Sequence, residues 1–212
     1  MMSIDVWSDV VCPWCYIGKR RMETALGRFE HAAEVEIRWH SFQLDSSHPR
    51  GHREPVRDML ARKMGAPPEQ VKAMTRQVTE LAAAEGLTYD LDNAVSVNTL
   101  DAHRLNHLAD QHGLGDRMHE RLLKAHLCDG EIVDDLDTLI RLGTEVGVPE
   151  DEAREVLEGT KFAGEVDADF AEARRIGVNG VPFFVLNGAY GVSGAQSPVT
   201  FLSALEKAYR SR

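Results

Sequence analysis

The sequence predicts an α/β fold with a central sheet contributed by both ends of the chain and a large all-helical block between them. Three observations carry this. The opening reads as strand, helix, strand. From the mid-50s to about residue 160 only helical patterns of apolar residues recur. The end returns to helix, strand, strand, helix. The expected organisation is a first half (1–44), a helical insertion (45–161) and a second half (162–212).

In the first half, residues 3–7 (Ser-Ile-Asp-Val-Trp) read as a strand. Met22, Leu26 and Phe29 then fall at helical spacing with Lys19, Arg20, Arg21 and Arg28 between them. Val35, Ile37 and Trp39 alternate with Glu36 and Arg38, the period-two pattern of a second strand. The stretch HSFQLDSSHPRGHREP is polar and carries Pro49, Gly51 and Pro55, so it reads as a loop.

The middle of the chain gives helices in succession. Pro67 and Pro68 open one whose face is Val71, Met74, Val78 and Leu81. Asn98 or Thr99 caps the next, with Ala102, Leu105 and Ala109 inward and Gly113 as its stop. Met118, Leu122 and Ala125 repeat the pattern, as do Leu136, Leu139 and Ile140, and a short helix begins at Pro149. In the last section Val166, Phe170 and Ala173 form a helix face. Phe183–Leu186 is the strongest strand signal, Asn187-Gly188 a hairpin turn, and Tyr190–Val192 the return strand. Ser197 caps a final helix with Pro198 at its first position and Phe201, Leu205 and Ala208 inward.

Composition narrows the function. Of 212 residues, 43% are hydrophobic, enough for a sizeable core, and the net charge is -10. Nucleic acid and anionic membrane are both bound by clustered Lys and Arg, so neither is expected as a partner. No run approaches the roughly 20 apolar residues of a membrane span. The start MMSIDVWSDV has no basic cluster, long apolar stretch or cleavage site, so a cytoplasmic location is expected. In that compartment three cysteines do not form a structural disulfide framework.

Cys12 and Cys15 stand as CPWC between the first strand and the first helix. Such a pair is a redox dithiol, half of a zinc site, or two buried thiols. A helix N-terminus offers unpaired N–H groups and the positive end of the dipole, which favour a thiolate at Cys12. One helical turn brings Cys15 back beside it, while Pro13 is tolerated where its missing N–H has no partner. The expected division of labour is an exposed Cys12 that attacks and a deeper Cys15 that resolves the mixed disulfide. Zinc needs two such pairs or paired histidines, and only Cys128 remains. Haem attachment needs a histidine where Tyr16 stands.

CPWC after the first strand, together with GVPFF near the end, resembles the thioredoxin superfamily in its DsbA-like branch, whose thioredoxin-like fold carries a helical insertion. SDVVCPWCYIGK, FQL and GVSGAQ resemble the cytoplasmic FrnE-like group within it. The resemblance implies a thiol-disulfide oxidoreductase or isomerase with Cys12 as nucleophile, Cys15 as resolving thiol and Pro182 as the family's cis-proline facing them. It implies that the Val181 backbone holds a substrate strand, that Pro13 and Trp14 set the redox poise, and that no cofactor is needed beyond the redox-active pair. Trp14 supplies no positive charge, so a potential more reducing than that of the strongly oxidising DsbA type is expected. Expected partners are protein thiols and disulfides or glutathione, with the chain a monomer or homodimer.

Kappa-type glutathione transferases and chromene-carboxylate isomerases share the inserted fold and resemble the chain at VPFF and at Gly194-Ala195-Gln196. In the transferases that stretch meets the γ-glutamyl end of glutathione, which implies Ala195 and Gln196 as binding residues. They carry serine at the position of Cys12, so the two cysteines here favour dithiol exchange. A non-catalytic, chaperone-like groove in the helical block is a third reading.

The remaining polar residues have plainer expectations. Cys128 is expected as a small buried hydrophobe ending a helix. His103 and His107 share a helix face without a third ligand; Trp39 or His40 either approaches the edge of the site or, on the plainer expectation, packs in the core (Trp39) and lies at the surface (His40). Asp9 serves either the turn before Cys12 or its electrostatics.

Overall fold

Alternation along the first strand sets the layers. In the computed structural model, which describes residues 1–211, β1 (Met2–Ser8) buries Met2, Ile4 and Val6 on one face. These pack with Met22 and Ala25 of α1 (Pro13–Leu26) and Phe201 and Leu205 of α9 (Pro198–Arg210). Trp7 points to the other face and packs with Phe42 and with Ala173 of α8 (Ala163–Arg175). Side chains of a strand alternate between faces, so one strand anchors both helical layers.

The sheet order is β2-β1-β5-β6, with β2 Val35–Ser41, β5 Phe183–Leu186 and β6 Tyr190–Ser193. β2 runs parallel to β1, from Met2 opposite Val35 to Ser8 opposite Ser41, and α1 is the crossover that parallel pairing requires. β5 is antiparallel to β1, with Val6 opposite Phe184, and β6 is antiparallel to β5. Asn187 and Gly188 take φ of 52° and 66°, the positive values that this tight hairpin demands. Ser197 Oγ accepts the Thr200 N–H at 3.2 Å, which caps α9 as the sequence predicts.

Between β2 and α8 lie β3 (Glu54–Pro55), α2 (Val56–Met64), α3 (Pro68–Ala84), β4 (Val95–Ser96), α4 (Leu100–Gln111), α5 (Gly115–Leu127), α6 (Leu136–Val146) and α7 (Glu150–Glu158). Leu105, Leu122, Leu139 and Val156 share one core. Val10, from the turn after β1, is buried in that same core. Burial of such a side chain contributes roughly 1.5–3 kcal/mol, so the turn carrying the cysteines is fastened to the helical block.

Four expectations need correction. β3, at the end of the stretch that reads as a loop, pairs antiparallel with β4, inside the region that reads as helical only, because two-residue strands show no periodicity. α2 lies just after the predicted loop and buries no residue, so it has no apolar stripe to read. Phe29 is buried beyond α1, which stops at Gly27. His40 is not a free surface residue. Its Nδ1 is 2.9 Å from Asp169 Oδ1 and its Nε2 is 3.1 Å from Asp5 Oδ1, tying the sheet to α8.

That ion pair makes stability pH-dependent. Burial pulls the His40 pKa down, but the hydrogen bonds to Asp169 and Asp5 outweigh it and hold it at about 9. Burial likewise pushes Asp169 up, yet hydrogen bonds from His107, His40 and the Ser41 N–H hold it well below the usual range. The His40 contribution is therefore full below about pH 6.5 and lost as pH rises through about 9. The Asp169 contribution is full above about pH 4 and lost as pH falls. Denaturant titrations at pH 6 and pH 10 should show wild type losing up to about 3 kcal/mol more than His40→Gln. Equal losses in the two proteins would show that the pair contributes nothing.

Candidate active site

The site is built on the turn joining β1 to α1. Asp9 is buried and pins that turn. Its Oδ2 accepts the Leu44 N–H at 2.8 Å, its Oδ1 lies 3.2 Å from His103 Nε2, and its carbonyl accepts the Cys12 N–H at 3.0 Å. These contacts give Asp9 the turn role expected of it. Cys12 is the N-cap of α1 in extended conformation (φ −86°, ψ 113°), and Pro13 opens the helix. The Cys15 N–H donates to the Cys12 carbonyl at 3.0 Å, so both thiols sit within the first turn.

The chain returns to this turn far downstream. The Val181-Pro182 peptide is cis, and the Cys12 thiol donates to the Val181 carbonyl at 3.7 Å. Gly18, one turn beyond Cys15, allows this approach. A Cβ there would stand 2.9 Å from Pro182 Cγ and 3.6 Å from Ala195 Cα. Gly18 is visible in CYIGK, but nothing in the sequence says what would press against it.

Neither cysteine is open to solvent in this state. Cys12 is 4% exposed and Cys15 1%. The expected exposed Cys12 is thus corrected: Val181, Tyr89 and Leu91 pack around the pair. The two still differ in access, since Cys12 lines a groove and Cys15 is not among its lining residues. Burial raises the Cys15 pKa well above that of a free thiol, and hydrogen bonding with Cys12 raises it further. Tyr89 donates its hydroxyl to the Pro13 carbonyl at 2.6 Å and holds the dipeptide in place. It is a contact across the fold that sequence spacing does not reveal.

The groove has a volume of about 410 Å³ and is mostly apolar. Cys12, Pro13, Trp14 and Val181 line it together with Met59 and Leu60 of α2 and Met74 of α3. Trp14, Leu44 and Met74 are exposed large apolar side chains on its rim, the pattern of a contact surface. His126 also lines it. Burial lowers its pKa to about 4, so it is neutral at pH 7, and its Nδ1 has no hydrogen-bond partner among the described residues.

Ala195 and Gln196 are outside the groove lining. The Ala195 carbonyl accepts from Arg21 Nη1 at 2.7 Å, and Gln196 Nε2 donates to the Ser193 carbonyl at 2.8 Å. The structure thus brings Cys12, Pro13, Trp14, Cys15, Val181 and Pro182 together, with Ala195 beside Pro182 and the Gln196 side chain turned to its own loop. Cys128 follows α5 as expected, though only half-buried. Among the described residues, no group of three or more His, Cys, Asp or Glu is arranged to hold a metal ion. No described helix is long and apolar enough to cross a membrane.

The family model described as "DSBA-like thioredoxin domain" matches residues 3–206. Among solved structures, a probable DsbA oxidoreductase from Streptomyces coelicolor is 40% identical with a TM-score of 0.97, over 100% of this chain and 92% of that one. Cytosolic disulfide reductase DsbM from Pseudomonas aeruginosa, solved with GSH, is 21% identical with a TM-score of 0.67, over 98% and 99% of the two chains. A 2-hydroxychromene-2-carboxylate isomerase is 14% identical with a TM-score of 0.72, over 99% and 97%. The last two are likenesses of fold.

Proposed function

The chain belongs to the DSBA-like thioredoxin domain family, and from that premise we propose that it exchanges disulfides with protein or low-molecular-weight thiol substrates through Cys12 and Cys15. The observation that carries this is the joint placement of the two thiols in the first turn of α1, with the Val181 carbonyl 3.7 Å from Cys12 Sγ. The Cys12 thiolate attacks a substrate disulfide. One Cys12–substrate S–S bond forms, the substrate S–S bond breaks, and the first substrate thiolate leaves. Cys15 then attacks Cys12 Sγ, closes the Cys12–Cys15 disulfide and expels the second substrate thiolate. The reverse sequence oxidises a dithiol substrate.

Pro182 shapes the surface over Cys12, and the Val181 backbone pairs with an extended substrate segment. Pro13 and Trp14 contact the substrate beside the attacking sulfur. The groove's apolar wall and rim suit protein segments. Glutathione is the proposed small co-substrate, supported by the GSH-bound likeness in fold, with Ala195 and Gln196 at its γ-glutamyl end. In this reading the protein works in the cytoplasm, in the manner of the FrnE-like group, as a monomer or homodimer.

Equilibration in mixtures of reduced and oxidised glutathione, followed by alkylation and mass measurement, tests this. The expected result is a Cys12–Cys15 disulfide. Its midpoint should lie nearer the cytosolic glutathione poise of about −220 to −260 mV than the roughly −120 mV of a strong oxidant, since Trp14 adds no charge to stabilise the thiolate. Absence of that disulfide at every ratio would overturn the proposal. Glutathione conjugation or isomerisation by Cys12→Ser would instead favour the transferase-type reading.

A further inference from the structure

One buried polar side chain on the groove wall lacks a partner, while its buried polar neighbours there are all engaged. Asp9 is held by the Leu44 N–H and by His103. His48 Nε2 is 2.9 Å from the His52 carbonyl, and His48 Nδ1 is 3.2 Å from Ser96 Oγ. Thr75 donates to the Lys72 carbonyl at 3.1 Å, and Thr99 Oγ1 accepts from Gln43 at 3.3 Å. His126, in the last turn of α5, lines the same groove at 3% exposure. No hydrogen bond reaches its Nδ1 among the described residues. Buried polar atoms are seldom left unpaired, so an orphan on a cavity wall marks a place for a ligand atom.

The rest of the groove limits what that atom belongs to. The walls are mostly apolar, and Met59, Leu60 and Met74 can adapt to a flat ring. The charged side chains are Asp9, Asp45 and Lys63, and Lys63 pairs with Asp45, so no free lysine or arginine remains for a carboxylate. His126 is itself neutral at pH 7, because burial lowers its pKa to about 4. A neutral imidazole offers one donor and one acceptor, and a half-turn about Cβ–Cγ presents Nδ1 on either side of the ring. A ligand amide would bring more hydrogen-bonding positions than this one group can satisfy. A phenol brings an apolar ring and a single hydroxyl, which both donates and accepts.

We propose that the groove is a specificity pocket for a tyrosine side chain near the substrate cysteine, with the tyrosine hydroxyl hydrogen-bonded to His126. This rests on the dithiol reading and names its substrate class, a protein disulfide with tyrosine close to one of its cysteines. The Val181 backbone holds the substrate strand over Cys12, and the tyrosine enters the groove that Cys12 and His126 both line. Glutathione carries carboxylates and does not suit this pocket. Its proposed place at Ala195 and Gln196 lies outside the groove lining.

The test uses the reduced full chain and symmetric disulfide dimers of a short peptide with one central cysteine. Each turnover converts one peptide disulfide into two peptide thiols as the Cys12–Cys15 disulfide closes. Tyrosine or phenylalanine is placed in turn at each of the three positions on either side of the cysteine, and alkylation followed by chromatography gives the rate constants. At the best position tyrosine should exceed phenylalanine by about tenfold. In His126→Leu that ratio should fall close to one, whatever the absolute rates. A ratio near one at every position in the parent, or an unchanged ratio in His126→Leu, would overturn the inference. A second readout needs no exchange. In protein carrying isotope-labelled histidine, an excess of the tyrosine peptide with serine in place of cysteine should shift the His126 ring-nitrogen resonances, and the phenylalanine peptide should not. Equal shifts, or none, would equally overturn it. The selective shift without reduction of any peptide disulfide would leave the pocket standing and overturn the dithiol reading instead.

Discussion

Cys12→Ser is expected to lower the rate of disulfide exchange by more than about a thousandfold, whereas Cys15→Ser should stop turnover after one step and accumulate a mixed disulfide on Cys12. The two outcomes differ because the two sulfurs do different work. A serine hydroxyl at Cys12 is not ionised near pH 7 and cannot form an S–S bond, so no intermediate arises. With Cys15 replaced, Cys12 still attacks, but the thiol beside it in the first turn is gone and the intermediate waits for a solution thiol. Both substitutions change one atom in a packed first turn, so the fold should persist. The check is reduction of a disulfide-bonded peptide, followed without reductant by mass spectrometry of the intact protein. A Cys12→Ser protein retaining about a tenth of the wild-type rate would remove Cys12 from its assigned role. A Cys15→Ser protein that never holds substrate would remove Cys15. Cys128→Ala should behave as wild type, since Cys128 lies outside the groove lining.

The sequence is most legible where a pattern and its consequence are local. The alternation of Val35, Ile37 and Trp39, the Ser197-Pro198 cap and the Asn187-Gly188 turn each specify their element within a few residues. CPWC is legible because the chemistry of a helix N-terminus needs only the helix that follows it. Val181-Pro182 becomes legible only through resemblance, because nothing near residue 182 indicates that it faces residue 12. The polar contacts beneath the thiols are less legible still. Ser8 meets His119 across 111 positions, and Asp9 meets His103 across 94. A histidine on a helix face looks the same whether it faces solvent or a buried serine. α2 escapes notice for a related reason. It buries nothing, and its Met59 and Leu60 face a groove rather than a core, so the usual stripe never forms. The burial of Cys12 follows from packing by Tyr89, Leu91 and Val181, three residues distant from it in sequence.

Arg104 shows how the helical block holds the site from a distance, and its replacement should produce the largest loss of stability. The side chain is 1% exposed. Its Nε donates to the Lys161 carbonyl at 2.8 Å and Nη1 pairs with Asp101 Oδ1 at 2.7 Å. Nη2 donates to the Gly159 carbonyl at 2.8 Å and also to the Val156 carbonyl. Val156 lies in the last turn of α7, where carbonyls lack helical partners, so the guanidinium closes that helix and fixes the connection into α8. α8 in turn presents Asp169 to His40, and the residue before Arg104, His103, reaches Asp9 beneath Cys12. Arg104→Ala strips partners from several carbonyls and leaves a cavity, which should cost about 3–5 kcal/mol and lower Tm by roughly 10 °C. Arg104→Lys should recover little, because one ammonium cannot reproduce a planar fork that serves three carbonyls and a carboxylate. Denaturant unfolding checks both variants, and a loss under 1 kcal/mol for alanine would show that the network is not holding α7 to α4. Since Arg104 touches neither the groove nor the thiols, the surviving folded protein should exchange disulfides within a few-fold of wild type at low temperature. A collapse of activity without a collapse of stability would mean instead that α4 transmits strain through His103 to the turn that carries Cys12.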